Sequence, residues 1–170
     1  MAFIEIKPEA IPGNVFDMVG REWMLITAGT PDSFNTMTAS WGALGVLWGR
    51  NTAMCFVRPQ RYTHEFMEQN EYYTLSFYAE EYRPQLVVCG GTSGRDVDKV
   101  ELTNFKAQPT PEGAVYFREA KLVIVCRKLY DEPFKPENFR VPDIDGAIYP
   151  THDYHRMYVG EIVRVLIDIE

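Results

Sequence analysis

Short runs of β-forming residues follow one another along this chain, without long helical patterns between them. Residues 72–78 read Tyr-Tyr-Thr-Leu-Ser-Phe-Tyr, and residues 157–169 form a long run rich in β-branched side chains. Strands that occur in succession favour a closed or partly closed antiparallel barrel over a doubly wound parallel sheet. We therefore predict a mainly β, Greek-key-like antiparallel barrel with a few short helices. The seven predicted strands cover residues 23–27, 36–41, 52–58, 72–78, 115–117, 122–129 and 157–169.

Short helices and one long loop are predicted between these strands. Tyr62, Phe66 and Met67 recur at helical spacing, which indicates a short amphipathic helix. A second helix is predicted at residues 84–89, where a glycine pair would end it. Residues 131–154 carry four prolines and several acidic side chains. We interpret them as a long surface loop, and loops of that length in a domain are usually functional or mobile.

The length and composition of the chain exclude several classes of protein. With 170 residues, 46% of them hydrophobic, the chain is expected to form one domain over residues 1–170. No run approaches the roughly 20 apolar residues that cross a bilayer, so no membrane partner is expected. The first eight residues lack the basic and apolar regions of a secretory signal, and the protein is expected to be cytoplasmic.

The charge of the chain argues against nucleic acid as its main partner. The formal net charge is -7 at pH 7, whereas phosphate backbones are bound through fields of Lys and Arg. Two basic spots stand out from this acidic background, Arg58 with Arg61 and Arg95 with Lys99. Each spot lies beside small polar residues that can donate hydrogen bonds. The pattern predicts a site for a small anion.

The first candidate motif is the run 58–63, Arg-Pro-Gln-Arg-Tyr-Thr, at the predicted junction between a strand and the N-terminus of a helix. Unpaired backbone amides and the helix dipole favour an anion at such a junction. Arg58 and Arg61 offer forked donors that match phosphate oxygens, and Thr63 adds a hydroxyl. The alternative is that both arginines are ordinary surface charges and that Thr63 is the N-cap of the helix.

Two further motifs are weaker when taken alone. The run 89–99, Cys-Gly-Gly-Thr-Ser-Gly-Arg-Asp-Val-Asp-Lys, matches neither the Rossmann fingerprint nor the P-loop. Alternatively, it is a helix C-cap followed by a turn. The run 35–42, Asn-Thr-Met-Thr-Ala-Ser-Trp-Gly, places small hydroxyls along one side of a strand, as the pyrimidine edge of a flavin requires. Alternatively, it is a half-exposed strand whose Trp41 anchors the core.

Taken in chain order, the runs 34–42, 57–63 and 91–99 resemble the flavin reductase-like family, and particularly its flavoredoxin branch. The match fades beyond Thr103. The resemblance implies a split β-barrel homodimer with FMN near the subunit interface. It also implies that Arg58, Arg61 and Thr63 hold the phosphate and that the loop 93–99 closes over the cofactor.

The same resemblance implies which other side chains contact the cofactor. Residues expected beside the isoalloxazine ring are Asn35, Thr38, Ser40 and Trp41. The complete set of predicted FMN-binding residues is Asn35, Thr36, Met37, Thr38, Ser40, Trp41, Arg58, Arg61, Tyr62, Thr63, Ser93, Gly94, Arg95 and Lys99.

The resemblance leaves three functions open. The leading hypothesis is an oxidoreductase that passes electrons from NAD(P)H, or from a reduced protein donor, through bound FMN to an acceptor. The first alternative is a non-enzymatic electron carrier served by a ferredoxin-like donor, and the second is a protein that stores or senses flavin. Because the flavin itself carries the redox chemistry, no catalytic side chain is predicted.

The segment 131–154 matches no motif, although it carries His152 and Asp153 close to His155. We interpret this cluster as a solvated acidic loop and predict no metal site, because the H-x-x-H spacing alone fixes no tetrahedral ligand set. The length of the segment suggests instead that it lies at the mouth of the flavin pocket, where Tyr154 or His155 would line the ring. There it would set which reductant or acceptor gains access.

Overall fold

Ten β-strands dominate the fold within residues 2–169, the part of the chain that the computed structural model describes. None of the helices there is long and apolar enough to cross a bilayer. The strands are β1 (Phe3–Ile6), β2 (Met24–Thr30), β3 (Ser33–Ala39), β4 (Gly42–Leu47), β5 (Arg50–Val57), β6 (Tyr72–Phe77), β7 (Ala107–Pro109), β8 (Val115–Phe117), β9 (Leu122–Pro133) and β10 (Arg156–Asp168). The α-helices are α1 (Val15–Asp17), α2 (Tyr62–Gln69), α3 (Arg83–Gly91), α4 (Lys99–Thr103) and α5 (Pro142–Ile148). Other helical turns lie at Pro8–Ala10, Met18–Glu22, Glu80–Tyr82 and Pro136–Asn138.

Eight of these strands form one sheet. Seven of them lie in the order β3-β2-β6-β9-β10-β5-β4, and the eighth, β1, pairs with β10. Every pairing in the sheet is antiparallel. Strand β10 is 13 residues long, so one of its edges accommodates two neighbours, β5 along the first half and β1 along the last four residues. Strands β7 and β8 form a separate two-stranded sheet. The predicted mainly β, antiparallel architecture is confirmed.

Strand β9 separates two hydrophobic cores. Leu122, Ile124 and Cys126 belong to the first core, whereas Val123 and Val125 belong to the second core on the opposite face. A strand that is buried on both faces reads as a continuous apolar run, as residues 122–126 do. The second core is covered by α3 and by the segment that leads into β8, through Leu86, Cys89, Phe105 and Phe117.

Some elements differ from the sequence prediction. Strands β1, β4 and β7 were not predicted, and α3 continues through the glycine pair that was expected to end it. Strand β4, Gly-Ala-Leu-Gly-Val-Leu, has few β-branched residues and is held by its hairpin with β5. The connecting residues Trp48 and Gly49 have φ values of 53° and 68°. Such two-residue turns suit the twist of a hairpin, but Trp is not a residue that signals them.

The prediction that residues 131–154 form a loop throughout is wrong at two places. Strand β9 continues to Pro133, and α5 occupies the middle of the segment. Asp131 pairs with Tyr158 in the ladder, and the Asp131 carboxylate accepts a hydrogen bond from Arg156 Nε at 2.5 Å. This cross-strand contact between β9 and β10 extends the ladder into a stretch whose proline and acidic residues predict a loop.

Candidate cofactor-binding site

Two cations meet beside the C-terminal end of α3. Lys99, the first residue of α4, is buried, and its Nζ donates to the carbonyl oxygens of Thr36 at 2.7 Å and of Cys89 at 2.8 Å. The Arg61 guanidinium donates to the same Cys89 carbonyl at 3.4 Å. Within residues 2–169, no carboxylate lies within ion-pair distance of either cation. Their charges are therefore not neutralised by this part of the protein.

Burial makes these charges costly to hold. Burial, with the positive charge of Arg61 as a second cause, lowers the pKa of Lys99 to about 8. Burial also lowers the pKa of Arg61. Two desolvated cations that repel each other are stabilised by an anion placed between them. The position is therefore suited to bind a phosphate or a similar group.

A cavity of 230 Å³ lies beside the two cations. Asn35 Nδ2 donates to Thr63 Oγ1 at 2.8 Å, and because the oxygen accepts this bond, the hydroxyl hydrogen can be donated to a ligand. Thr63 is the second residue of α2, so the alternative that it is the N-cap is wrong, and Arg61 occupies that position. A Cβ atom at Gly94 would lie 2.0 Å from Asn35 Oδ1, so the loop can approach Asn35 only as glycine. The cavity is lined by Asn35, Gln60, Arg61, Tyr62, Thr63, Gly90, Gly91, Thr92, Ser93, Gly94 and Lys99.

Arg61 also lines a second cavity of 230 Å³, which makes the two cavities neighbours. The wall of the second cavity is the end of β3 and the residues that follow it. The Thr38 hydroxyl donates to the Leu86 carbonyl of α3, which ties this strand to the helix. Trp41 remains 45% exposed and contributes a flat aromatic face. The second cavity is lined by Met37, Thr38, Ala39, Ser40, Trp41, Phe56, Arg58, Arg61 and His155.

Arg58 connects this cavity to the segment before β10. Its guanidinium forms an ion pair with Asp153, donates to the Ile148 carbonyl at 3.1 Å, and lies 5.2 Å from the centre of the Tyr149 ring. Hydrogen bonds from Gln60 and Arg58 hold the pKa of Asp153 well below its usual range. Arg58 is therefore engaged with α5 and its flanking residues, whereas Arg61 has no carboxylate partner among the described residues.

His155 is a buried, uncharged histidine in the wall of the second cavity. Burial, followed by the positive charge of Arg58, lowers its pKa to about 4. Its Nδ1 lies 2.9 Å from the Tyr149 hydroxyl, and its ring centre lies 5.0 Å from that of Trp41. Because Nδ1 is engaged with Tyr149, Nε2 is the ring nitrogen that is left for a ligand.

The remaining part of the glycine-rich loop borders a third cavity of 470 Å³. Arg95 is exposed, forms an ion pair with Glu65, and lies 4.7 Å from the centre of the Tyr62 ring. The Ser93 hydroxyl oxygen accepts a hydrogen bond from the Arg95 backbone at 3.2 Å. Arg95 thus braces the loop against α2 and, unlike Arg61 and Lys99, has a carboxylate partner.

All residues of the predicted set line one of these three adjoining cavities. Thr36 and Arg95 line only the third, and the Thr36 hydroxyl is bonded to that of Thr27 at 2.9 Å inside the β2–β3 pair. The predicted set omitted several lining residues. Phe56 alternates with the core residues of β5 and so carries no separate signal, and His155 follows a segment that matches no motif. The other residues omitted from the first two cavities lie inside the three motifs: Ala39, Gln60, Gly90, Gly91 and Thr92.

A fourth and larger cleft of 860 Å³ adjoins the second cavity and shares Ser40, Trp41 and Phe56 with it. One wall comes from α1 and the turn that follows it. The other wall comes from the segment that had been predicted as a loop, including Phe134 and Ile144. The segment therefore lies next to the cavities that the predicted residues line.

The chain matches the family model described as Flavin reductase like domain over residues 17–170. No curated protein sequence matches it.

Three solved structures illustrate the fold. A flavoredoxin from Methanosarcina acetivorans has a TM-score of 0.67 at 21% identity, covering 87% of this chain and 69% of that one. An FMN-binding domain of a flavin reductases-like enzyme from Shewanella baltica OS155 has a TM-score of 0.71 at 12% identity, covering 98% and 78%. A putative flavin reductase with a split barrel domain from Shewanella frigidimarina has a TM-score of 0.68 at 15% identity, covering 96% and 78%. The likeness shows the split-barrel fold, and from the family match we conclude that the chain belongs to the flavin reductase like domain family.

Proposed function

We propose that this protein binds FMN and acts as an oxidoreductase that passes electrons from NAD(P)H or a reduced protein donor to an acceptor. The observation that carries the proposal is the position of Arg61, which borders two cavities. The first, beside Arg61 and Lys99, is called the anion cavity, and the second, beside Trp41, is called the ring cavity. An elongated ligand with a phosphate at one end and a flat ring at the other suits this pair of cavities. Membership of the family supports the same class of function.

The chemistry of the donor set fits a terminal phosphate. Arg61 and Lys99 would supply positive charge, and the Thr63 hydroxyl would donate one hydrogen bond. Asn35 orients that hydroxyl by donating to its oxygen at 2.8 Å. Gly94 allows the loop to approach closely, since a Cβ at this position would collide with Asn35. These residues would bind the phosphate while leaving the second cavity for the ring.

The second cavity fits the ring end of the same ligand. Thr38 and Ser40 would present polar groups along the strand, and Trp41 would supply a flat face. The neutral imidazole of His155 would offer Nε2 as a hydrogen-bonding atom at the ring. When bound, FMN would supply the hydride and electron transfer, which no side chain of the protein provides.

We also propose that two copies of the chain form a homodimer with FMN near the subunit interface. The support is the edge strand β4 and its turn, where Val46 is 74% exposed and Trp48 is 59% exposed. Exposed apolar side chains at a sheet edge are typical of surfaces that pair with another chain. Residues just before β4, including Ser40 and Trp41, line the ring cavity, which would place the flavin close to that interface.

The test of FMN binding compares two ligands that share the ring and differ in the phosphate. Arg61→Ala should weaken FMN binding by about 1.5 to 3 kcal/mol, the usual contribution of a hydrogen bond to a charged group. Riboflavin binding should change little. Arg118→Ala, which removes an exposed arginine away from the cavities, serves as the matched control. A colourless protein that does not quench FMN fluorescence would contradict the proposal.

Turnover distinguishes the enzyme from the other functions. With FMN bound, we expect steady oxidation of NADH or NADPH when an electron acceptor is present. Reduction of bound FMN by a reduced ferredoxin-like protein, without nicotinamide oxidation, would identify an electron carrier instead. Absence of both reactions in the FMN-loaded protein would leave storage or sensing of flavin as the function.

A further inference from the structure

The side-chain amine of Lys99 is buried and borders two cavities. It lines the anion cavity of 230 Å³ and the third cavity of 470 Å³. Lys99 is the only buried lysine among residues 2–169, whereas Lys7, for example, is exposed. Burial favours the uncharged form of an amine, which is the form that attacks electrophiles. A buried lysine beside open space is therefore a candidate nucleophile.

The hydrogen bonds of Lys99 leave one position on its nitrogen free. Nζ donates to the Thr36 carbonyl at 2.7 Å and to the Cys89 carbonyl at 2.8 Å. An uncharged amine has two N–H bonds and one lone pair, so these two carbonyls use both of its hydrogens and leave the lone pair for an electrophile. Burial, with the charge of Arg61 as a second cause, lowers the pKa of Lys99 to about 8. At neutral pH a much larger fraction of this amine is uncharged than for an unperturbed lysine, whose pKa is about 10.4.

The anion cavity suits the leaving group of an acyl phosphate. Arg61 donates to the same Cys89 carbonyl as Lys99, so the two side chains lie side by side. A phosphate bound by Arg61 and by the Thr63 hydroxyl would therefore lie next to Nζ. In an acyl phosphate a single oxygen atom separates the phosphorus from the acyl carbon, so a phosphate held there brings that carbon to the amine. A phosphorylated aldehyde with a longer chain carries its carbonyl further away and matches the site less well.

The two cavities differ in charge, and the difference orients such a molecule. Within residues 2–169, no Asp or Glu lines the anion cavity. The third cavity is lined by Asp32, Asp96 and Asp98, and by Arg95, whose charge is paired with Glu65. The phosphate end is therefore favoured in the anion cavity and the uncharged acyl end in the third cavity.

We propose that Lys99 is a site of covalent acylation by acyl phosphates. The Nζ lone pair attacks the acyl carbon, an N–C bond forms, and the C–O bond to the phosphoryl group breaks, so that phosphate leaves with the electron pair. The proton lost by the amine passes to the phosphate, directly or through water. Acylation removes the positive charge of Lys99 and should weaken FMN binding at least tenfold. Only this last consequence rests on the function proposed above.

The test compares acetyl phosphate with acetic anhydride, which transfer the same acetyl group and differ in the phosphate. The wild-type full chain, freed of flavin, is treated with each reagent, and peptide mass mapping follows acetylation of Lys99 and of the exposed Lys7. We expect the ratio of the Lys99 rate to the Lys7 rate to be at least tenfold higher with acetyl phosphate. The Lys99 rate should saturate with acetyl phosphate and fall when inorganic phosphate is added. It should also rise from pH 7 to pH 9, because a bound phosphate favours the charged amine.

A variant tests the role of the neighbouring cation. Arg61→Gln should lower acetylation of Lys99 by acetyl phosphate at least tenfold, after division by the acetic anhydride rate at the same lysine. That division removes any change in the reactivity of the amine itself. Arg118→Gln, at an exposed position that lines none of the three cavities, should react like the wild type.

Two results would overturn the proposal. Equal ratios for the two reagents would mean that Lys99 reacts without help from the anion cavity. Absence of acetylation at Lys99 would mean that the amine only connects α4 to the carbonyls of β3 and α3. In both cases the titration of FMN decides the FMN proposal separately. Protection of Lys99 by FMN but not by riboflavin would support both proposals, whereas acetylation that inorganic phosphate blocks and FMN does not would support this one and contradict the FMN site.

Discussion

The side-chain amide of Asn35 donates to the hydroxyl of Thr63 at 2.8 Å, and both side chains are buried. The bond joins β3 to the first turn of α2, two elements separated by β4 and β5 in the chain. It also sets the polarity of the Thr63 hydroxyl, because an oxygen that accepts from Asn35 keeps its own hydrogen for another acceptor. Asn35, a buried residue of β3, thus orients the Thr63 hydroxyl so that it can donate a hydrogen bond into the anion cavity.

Replacing Asn35 with Asp should reverse this polarity with almost no change in shape. An ionised carboxylate only accepts hydrogen bonds, so it would take the Thr63 hydrogen and place negative charge beside the phosphate. We expect FMN to bind at least about tenfold more weakly, since bonds to charged groups contribute about 1.5 to 3 kcal/mol. Titration of FMN and riboflavin fluorescence measures the effect, and the affinity for riboflavin should change much less.

The control for this substitution is Asn104→Asp, which introduces the same charge at an exposed position away from the cavities. It should leave both affinities unchanged. If Asn35→Asp weakens riboflavin and FMN equally, Asn35 acts on the ring or on folding, and its link to the phosphate is lost.

The strands that the sequence predicts are those whose burial pattern is strong. Residues 73–77 and 122–126 are mostly apolar or aromatic and are buried on both faces of the sheet, so local pattern and tertiary position agree. Strand β4 could not be predicted, because its Gly-Ala-Leu-Gly composition carries little β signal and its position depends on pairing with β5. The end of β9 was missed for a similar reason, since its pairing partner Arg156 lies far along the chain.

The grouping of the candidate site residues around adjoining cavities was predictable where they lie together in motifs. Arg61 and Thr63 are neighbours in the chain, and their role was inferred from the junction of a strand and a helix. The Arg58–Asp153 ion pair and the approach of Gly94 to Asn35 join residues 95 and 59 positions apart. No local pattern contains such contacts. The sequence therefore groups Arg58 and Arg61 in one motif. In the structure, Arg58 forms an ion pair with Asp153, whereas Arg61 donates to the Cys89 carbonyl.

Acid should destabilise the protein through His155. Its pKa is about 4 in the folded chain, compared with about 6.5 in an unfolded one. Between these values the unfolded chain binds more protons, so the stability contributed by the neutral imidazole is complete above pH 6.5 and is lost as the pH falls towards 4. We expect the free energy of unfolding in urea to fall by about 2 kcal/mol from pH 7 to pH 5 on account of this group.

His155→Gln separates this contribution from that of the carboxylates. Because glutamine does not titrate, the variant should lose about 2 kcal/mol less than the wild type between the same two pH values. The variant is expected to be less stable at pH 7, so the comparison rests on the slope and not on the absolute stability. Parallel slopes would mean that folding does not shift the pKa of His155.

A homodimer held by the β4–β5 hairpin should be sensitive to charge at Val46. Val46→Glu places a carboxylate at a position that is 74% exposed in the single chain but would be buried in the dimer. We expect light scattering to show twice the chain mass for the wild type and one chain mass for the variant. Val87→Glu, at a 54% exposed position on α3, should remain dimeric. A wild-type protein with the mass of one chain would contradict the homodimer.

Binding of FMN should weaken as Lys99 loses its proton. In the absence of an anion, burial and the neighbouring charge of Arg61 lower the pKa of Lys99 to about 8, whereas the nearby Cys89 thiol, with a pKa raised to about 11 by burial, stays neutral. A bound phosphate favours the charged amine and raises the pKa of Lys99. Above pH 8 the ligand must therefore bind together with a proton, and we expect the FMN dissociation constant to rise about tenfold between pH 7 and pH 9.

Riboflavin shares the ring and lacks the phosphate, so the ratio of the two dissociation constants isolates the effect of the amine. Lys99→Met should bind FMN more weakly at pH 7 and should show no change in this ratio up to pH 9. If the variant keeps the wild-type slope, another group titrates at the site and Lys99 acts only through its bonds to the Thr36 and Cys89 carbonyls.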